Sequence, residues 1–209
     1  GLDENGALVP IRGGGRLTGK VNGFNVGALN MQTDDVVSTP ANNFSVLRAS
    51  RELQNRSGIG MMFINRSATG RLAGSDDWNR TFGTDARLGL GEYFTMSGFA
   101  ARTQTPGRTR RDHAYNVDAE WDDGRHEATL EWGMTGEDFN PEVGFVETPG
   151  GYRRYRVGAG EVMRQEKIRN WGFRELNPHA NYTRYDHLDG GLLAAELHAD
   201  NHWDWENGQ

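Results

Sequence analysis

Five residues near the C-terminus, Glu196, His198, Asp200, His202 and Asp204, alternate along one stretch of chain. In an extended strand, residues two apart point the same way, so all five share one face. Imidazole and carboxylate groups are ligands for zinc-like ions, and a pair of imidazoles with a carboxylate can complete a site. Yet His198 and His202 stand about 13 Å apart at 3.3 Å per residue, too far to share one ion. His198 with Asp200, or Asp200 with His202, supplies only two ligands. A catalytic zinc takes three, drawn from more than one element. The neighbouring stretch, Trp171 to Tyr185, brings His179 and little else, with Arg174 and Arg184 as partners for the carboxylates. The expectation is a polar wall, with no metal of functional consequence, no cofactor and no catalytic residue.

Other chemistry-bearing residues point the same way. Glu120 and Glu131 fall on the polar faces of two adjacent strand patterns and resemble a glycosidase acid–base pair. Charged residues on a polar wall are ordinary, so they read as wall rather than catalyst. Gly14-Gly15-Arg16-Leu17-Thr18-Gly19-Lys20 has the spacing of a phosphate-binding loop, but Val21 stands where Ser or Thr would hold magnesium. No apolar strand precedes it, and Asn22-Gly23 follows where a helix should start, so it reads as a chance match. There is no Gly-x-Ser-x-Gly elbow and no zincin helix. Arg108-Thr109-Arg110-Arg111 reads as an exposed loop able to meet an anionic headgroup or polysaccharide.

The elements that must position these residues follow a rhythm of short turns and long loops. Short turns fall near Asn22-Gly23, Gln54-Asn55-Arg56, Gly91-Glu92, Asp123-Gly124, Gln165-Glu166-Lys167 and Asn207-Gly208. Asn-Gly and Asp-Gly supply the positive φ that tight hairpins need. Between them, Arg125 to Thr135 sets His126, Ala128, Leu130, Trp132 and Met134 against Glu127, Thr129 and Glu131. Its partner sets Val117, Ala119 and Trp121 against Asp118 and Glu120, and Leu193, Ala195 and Leu197 oppose Glu196 and His198. These dyads exceed the five or six residues of an ordinary strand and reach the roughly nine to eleven that cross a membrane.

Trp78 to Leu90 repeats the pattern except that Arg80 falls on the apolar side, and Phe44 to Leu53 carries Arg48 on one face and Arg51 on the other. Pro178 predicts a bulge or break in its strand. Aromatics such as Trp78, Tyr93, Trp121, Trp171, Trp203 and Trp205 gather toward strand ends, as interfacial girdles do. About eleven antiparallel strands in up-and-down order are expected, forming a curved, unclosed sheet with edges near Arg16 and Trp205.

Composition sets the bounds. The chain has 209 residues, 35% of them hydrophobic, a net charge of −6 and no cysteine. Mean hydropathy is −0.76. Disorder would explain low hydropathy, but six Trp, six Tyr and nine Phe argue against it. A barrel with a polar lumen accounts for both, because only alternate residues face lipid. No apolar run is long enough for a membrane helix. The negative charge disfavours nucleic acid as a partner, and the lack of cysteine removes disulfides, thiolate metal sites and thiol nucleophiles. Gly1-Leu2-Asp3 has no signal-peptide character and the chain stops within a hairpin signal, so it reads as a single barrel segment, 1–209, truncated at both ends.

Several stretches resemble one family of unknown function. They are Val9-Pro10-Ile11, Gly13 to Lys20, Gly27 to Thr33, Asn43-Phe44-Ser45-Val46, Asn79-Arg80-Thr81, Thr103-Gln104-Thr105-Pro106-Gly107 and Asp138-Phe139-Asn140-Pro141-Glu142-Val143-Gly144-Phe145-Val146. That family is the C-terminal outer-membrane barrel of Gram-negative proteins carrying an N-terminal family 9 carbohydrate-binding-like module. The resemblance implies a bacterial outer-membrane location, lipid as partner, and glycans reached through an upstream module outside this sequence. It carries no catalytic residues over. The function expected is a non-enzymatic anchor or channel of a glycan-handling surface protein. The rivals are a glycan hydrolase using lumen carboxylates and a soluble carbohydrate-binding sandwich. The run Phe139 to Val146, apolar anchors in a polar loop opened by Asn140-Pro141, is expected to pack back on the barrel as plug or rim.

Overall fold

The computed structural model describes residues 8–37, 39–144 and 150–206. The strands are β1 (Ile11–Val21), β2 (Phe24–Thr33), β3 (Ala41–Glu52), β4 (Gly58–Thr69), β5 (Trp78–Leu90), β6 (Phe94–Gln104), β7 (His113–Asp122), β8 (His126–Thr135), β9 (Tyr152–Glu161), β10 (Phe173–Asp186) and β11 (Leu192–Trp205). All eleven lie in one antiparallel sheet in sequence order. The sheet is not closed: β1 and β11 are its two edges. Each strand packs only on its sequence neighbours, and no second sheet covers it among the described residues.

The turns explain the order. Asn22 and Gly23 both take positive φ, 50° and 81°, as a two-residue I′ hairpin requires, and join β1 to β2. The turns near Asn55, Gly91 and Gly124 also use positive φ and lie at the same end of the sheet. Two connections depart from the expected rhythm. Gln165-Glu166-Lys167 is not a tight turn: Glu166–Arg169 forms one turn of helix, α1, inside the long link from β9 to β10. Glu, Lys, Ile and Arg are all compatible with helix, and Ile168 is buried there, which anchors the turn. At the opposite end, β10 and β11 are joined by the short link 187–191. The expected turn at Asn207-Gly208 lies outside the described residues.

Pro178 leaves β10 itself unbroken, with register shifts only near Phe173/Glu175 and Tyr185/Asp186. Its effect is on the neighbouring ladder. Pairing of β9 with β10 ends at Gly160↔His179 and returns only at the single bridge Met163↔Leu176. A residue with no N–H cannot donate to that ladder, so the pairing lapses beside it.

Paired residues share a face, so the register sorts the side chains. Ala86, Val117, Trp132, Tyr155 and Ala195 form one cross-sheet row. Ala119, Leu130, Val157, Tyr182 and Leu197 form the next. This apolar face is bare: Leu130 is 60% exposed and Leu197 72%. The other face is the covered one and is mostly polar, apart from an apolar patch over β2 to β4 in which Leu29, Val46 and Ile64 share a row with Thr81. Thr33, Ile64, Asn79, Thr81, Thr95, Thr103 and Ala114 are buried on it, and Asn79 and Thr103 are each only 1% exposed. A soluble sheet buries its apolar side; this one is inverted.

Three residues that blurred the sequence pattern have specific explanations. Arg80 lies at the rim of the apolar face, over the Trp78 ring at 4.7 Å and bonded to Asn65 at 3.3 Å. Arg51 stands on the apolar face over the Phe24 ring. Arg48, on the polar face, reaches past β4 to Asp85 on β5.

Candidate functional site

The chemistry-bearing side chains lie along the polar face, held there by strand alternation. The acidic residues are mostly engaged. Asp85 is paired with Arg48, and Asp118 accepts from Ser97 at 2.8 and 2.9 Å. Glu131 accepts from Asn116 at 2.6 Å and is paired with Arg154, and its side chain is 11% exposed. Glu120 is offset from it, opposite Thr129, while Glu131 is opposite Asp118. Diagonal neighbours of this kind stand roughly 7–8 Å apart. Glu120 and Glu131 therefore share a face, but Glu131 is part of a wall lattice with Arg154 and Asn116.

The phosphate-loop match lies wholly in β1, where Gly14 to Lys20 pair residue by residue with Met31 to Asn25 of β2. An extended, paired strand has no nest of free amides to hold a phosphate. Arg108 to Arg111 are exposed in the loop between β6 and β7, and the Arg110 amide donates to Asp138 at 2.7 Å.

The loop after β8 folds back onto the polar face. The Asn140 amide donates to Thr103 Oγ1 at 3.0 Å, and Asn79 Nδ2 donates to the Asn140 carbonyl at 2.7 Å. Glu142 is paired with Arg66 of β4, which also holds Asp77 at 2.7 Å. These ties run from beyond β8 back to β4, so the loop spans the polar face and covers its loop-end rim. Phe145 and Val146 lie outside the described residues.

The ladder on β11 gains a partner that counting along one strand missed. His179 of β10 sits directly opposite Asp200. Its ring stacks on that of His202 with centroids 5.2 Å apart and planes within 8°, and lies 5.6 Å from that of His198. One donor atom each from His179, Asp200 and His202 lies within 4.8 Å of the others. The cue was in the sequence, since His179 was the one imidazole of the adjacent strand, but only the register shows which residue it faces. The arginines expected to serve the carboxylates divide. Arg174 pairs with Asp204 at 2.7 Å. Arg184 instead lies on the apolar face, opposite Ala195, and binds Asp186 at 2.8 Å.

At the turn end of the sheet, aromatic side chains cluster: Tyr93 with Trp121 at 5.7 Å and Phe173 stacked on Trp205 at 4.2 Å. At the other end, the apolar face passes into a polar rim in which Asn30 bonds Asn43 at 3.0 Å and Ser45 at 2.8 Å. No protein-family model, no curated protein and no solved structure matches this chain.

Proposed function

We propose that this chain is part of the wall of a bacterial outer-membrane β-barrel, with its apolar face toward lipid and its polar face toward an aqueous interior, serving as anchor or channel rather than as an enzyme. The observation that carries this reading is the inversion of the sheet: buried threonine and asparagine on one side, bare leucine, valine and tryptophan on the other. A face of that size and composition on a water-soluble protein would drive association. In hydrocarbon it is at rest.

The dimensions support the reading. The apolar positions from Phe82 to Leu90 cover about 26 Å along β5, and those from Leu193 to Trp205 about 40 Å along β11. Strand tilts near 40° shorten these to about 20 and 30 Å, bracketing the roughly 25 Å apolar band of outer-membrane barrels. The aromatic cluster at one rim and the amide-rich rim at the other fit two interfaces. The stretches quoted above as resembling the barrel that follows a family 9 carbohydrate-binding-like module point to a glycan-handling surface protein. The engagement of Glu131 by Arg154 and Asn116 argues against the hydrolase reading, and a sandwich needs a facing sheet.

Refolding separates the readings. The chain is expected to give a β-type circular dichroism spectrum in detergent micelles or phospholipid vesicles, and brominated lipid should quench its tryptophan fluorescence. A cooperative fold in plain buffer, with tryptophans indifferent to brominated lipid, would overturn the proposal. Glycan turnover lost on Glu120→Gln or Glu131→Gln would favour the enzyme instead.

A further inference from the structure

We propose that His179, Asp200 and His202 form a binding site for a divalent transition-metal ion of the zinc class, bridging β10 and β11 on the polar face. The inference goes beyond the barrel reading and does not require it, because the register alone brings the three residues together.

The donor atoms are already prepared. The Nδ1 of His179 stands 3.3 Å from the carbonyl oxygen of Asn177. A neutral imidazole donating its Nδ1–H there presents the lone pair of Nε2 to a metal, which is how ligating histidines are commonly oriented. Asp200 divides its oxygens in the same way. Its Oδ1 accepts the Asn201 amide at 2.6 Å, while Oδ2 lies 3.9 Å from Nε2 of His202. The backbone bond engages one oxygen and leaves the other turned toward the histidine. Asn177 stands directly opposite His202, and its side-chain oxygen is buried with no hydrogen-bond partner, as are those of Asn79, Asn116 and Asn201. A metal-bound water is a donor that would satisfy it.

The donor separation of up to 4.8 Å is wider than the roughly 3.3 Å between ligands of a tetrahedral zinc, so the site must close by about 1.5 Å. The side chains of His202 and Asp200, 73% and 49% exposed, can rotate to do so. Two imidazoles and one carboxylate select a borderline ion; calcium and magnesium prefer six or more oxygens. The fourth position opens to solvent, so the ion would carry water and exchange with the aqueous side. It would also clamp the edge strand β11 to its neighbour.

The test uses the whole chain refolded in detergent. Zinc is titrated by calorimetry, and Co2+ serves as a spectroscopic probe for tetrahedral coordination. One ion per chain at micromolar affinity is expected, with tetrahedral ligand-field bands for Co2+. His179→Ala, Asp200→Asn and His202→Ala should each weaken binding at least tenfold. His198→Ala, which removes the ring on the other side of His179, should change it less than twofold. Circular dichroism establishes that each variant is folded, and His179→Gln and His202→Gln replace any alanine variant that is not. Absence of zinc binding by the unsubstituted chain, retention of binding in the three ligand variants, or loss confined to His198→Ala would overturn the proposal.

Discussion

Leu130→Arg discriminates between a lipid-facing and a water-facing sheet. Leu130 lies in the middle of β8, between Ala119 of β7 and Val157 of β9 on the apolar face, and is 60% exposed. In water, a leucine already so exposed has less than half of its burial energy to lose. Full burial of such a side chain is worth roughly 1.5–3 kcal/mol, so the substitution would cost about 1 kcal/mol or less, and the arginine stem would recover part of that. At the midplane of a bilayer, an arginine on the lipid face of a barrel costs about 2–4 kcal/mol. That range corresponds to a loss of about 30-fold to several hundred-fold in the folded-to-unfolded ratio. The assay is denaturant unfolding of the chain reconstituted in phospholipid vesicles, followed by tryptophan fluorescence. Thr129→Arg serves as the control, because Thr129 faces the polar side opposite Glu120 and should change stability by less than about 0.5 kcal/mol. Equal small effects at both positions would refute the assignment of faces to lipid and water.

Gly60 leaves room for the Arg48 guanidinium, since a β-carbon there would stand 2.4 Å from Arg48 Nη2. Gly60→Ala is expected to displace the guanidinium from Asp85 at a cost of up to about 1 kcal/mol, as befits a half-exposed pair, and a double-mutant cycle should show that cost vanish in an Arg48→Ala background. Asn79→Ala removes the donor to the Asn140 carbonyl at a buried position, so limited proteolysis should cut the 138–144 loop faster while the sheet's circular dichroism persists. Asp123, in the turn between β7 and β8, accepts the backbone amides of His126 and Arg125 at 2.7 and 2.9 Å and also faces the His126 ring. Those donors hold its carboxyl well below the usual carboxylate range. A depressed folded-state value means its contribution is complete above the ordinary carboxylate pKa near 3.9 and fades as pH falls through the folded-state value. Asp123→Ala should therefore lower stability at neutral pH and flatten the acid limb of a stability–pH profile.

The strands were legible wherever one face was apolar and the other charged. Trp78–Leu90 is bounded in the structure as its pattern predicts, despite Arg80, because a rim position lets an arginine lie over Trp78. The face of β3 was not legible, since Arg48 and Arg51 are both long enough to find partners, one an acid two strands away and the other an aromatic ring. The link at 165–167 was misread because three polar residues suit a hairpin turn and a helical turn equally, and the burial of Ile168 decides between them. The placement of His179 opposite Asp200 was not legible for a different reason. Period two along a strand reports its face, whereas the cross-strand partner depends on turn length and bulges elsewhere. Along β11, His198 and His202 are too far apart to cooperate; across the ladder, His179 closes the gap.

Because each strand packs only on the strands before and after it, nearly all order in this sheet is hairpin order. Assembly can then proceed as a zipper, each new strand adding to the growing edge and closing only a short loop of chain. Among the described residues, ties that reach further include Gln32 to Thr69, Arg48 to Asp85, and the 138–144 loop to Thr103, Asn79 and Arg66. The loop's contacts must wait until the five strands β4 to β8 are in place, so the loop docks only after that part of the sheet has formed, and it slows the loss of the strands beneath it. An intermediate with its ladders formed and this loop still undocked is the species such a sequence of events would populate.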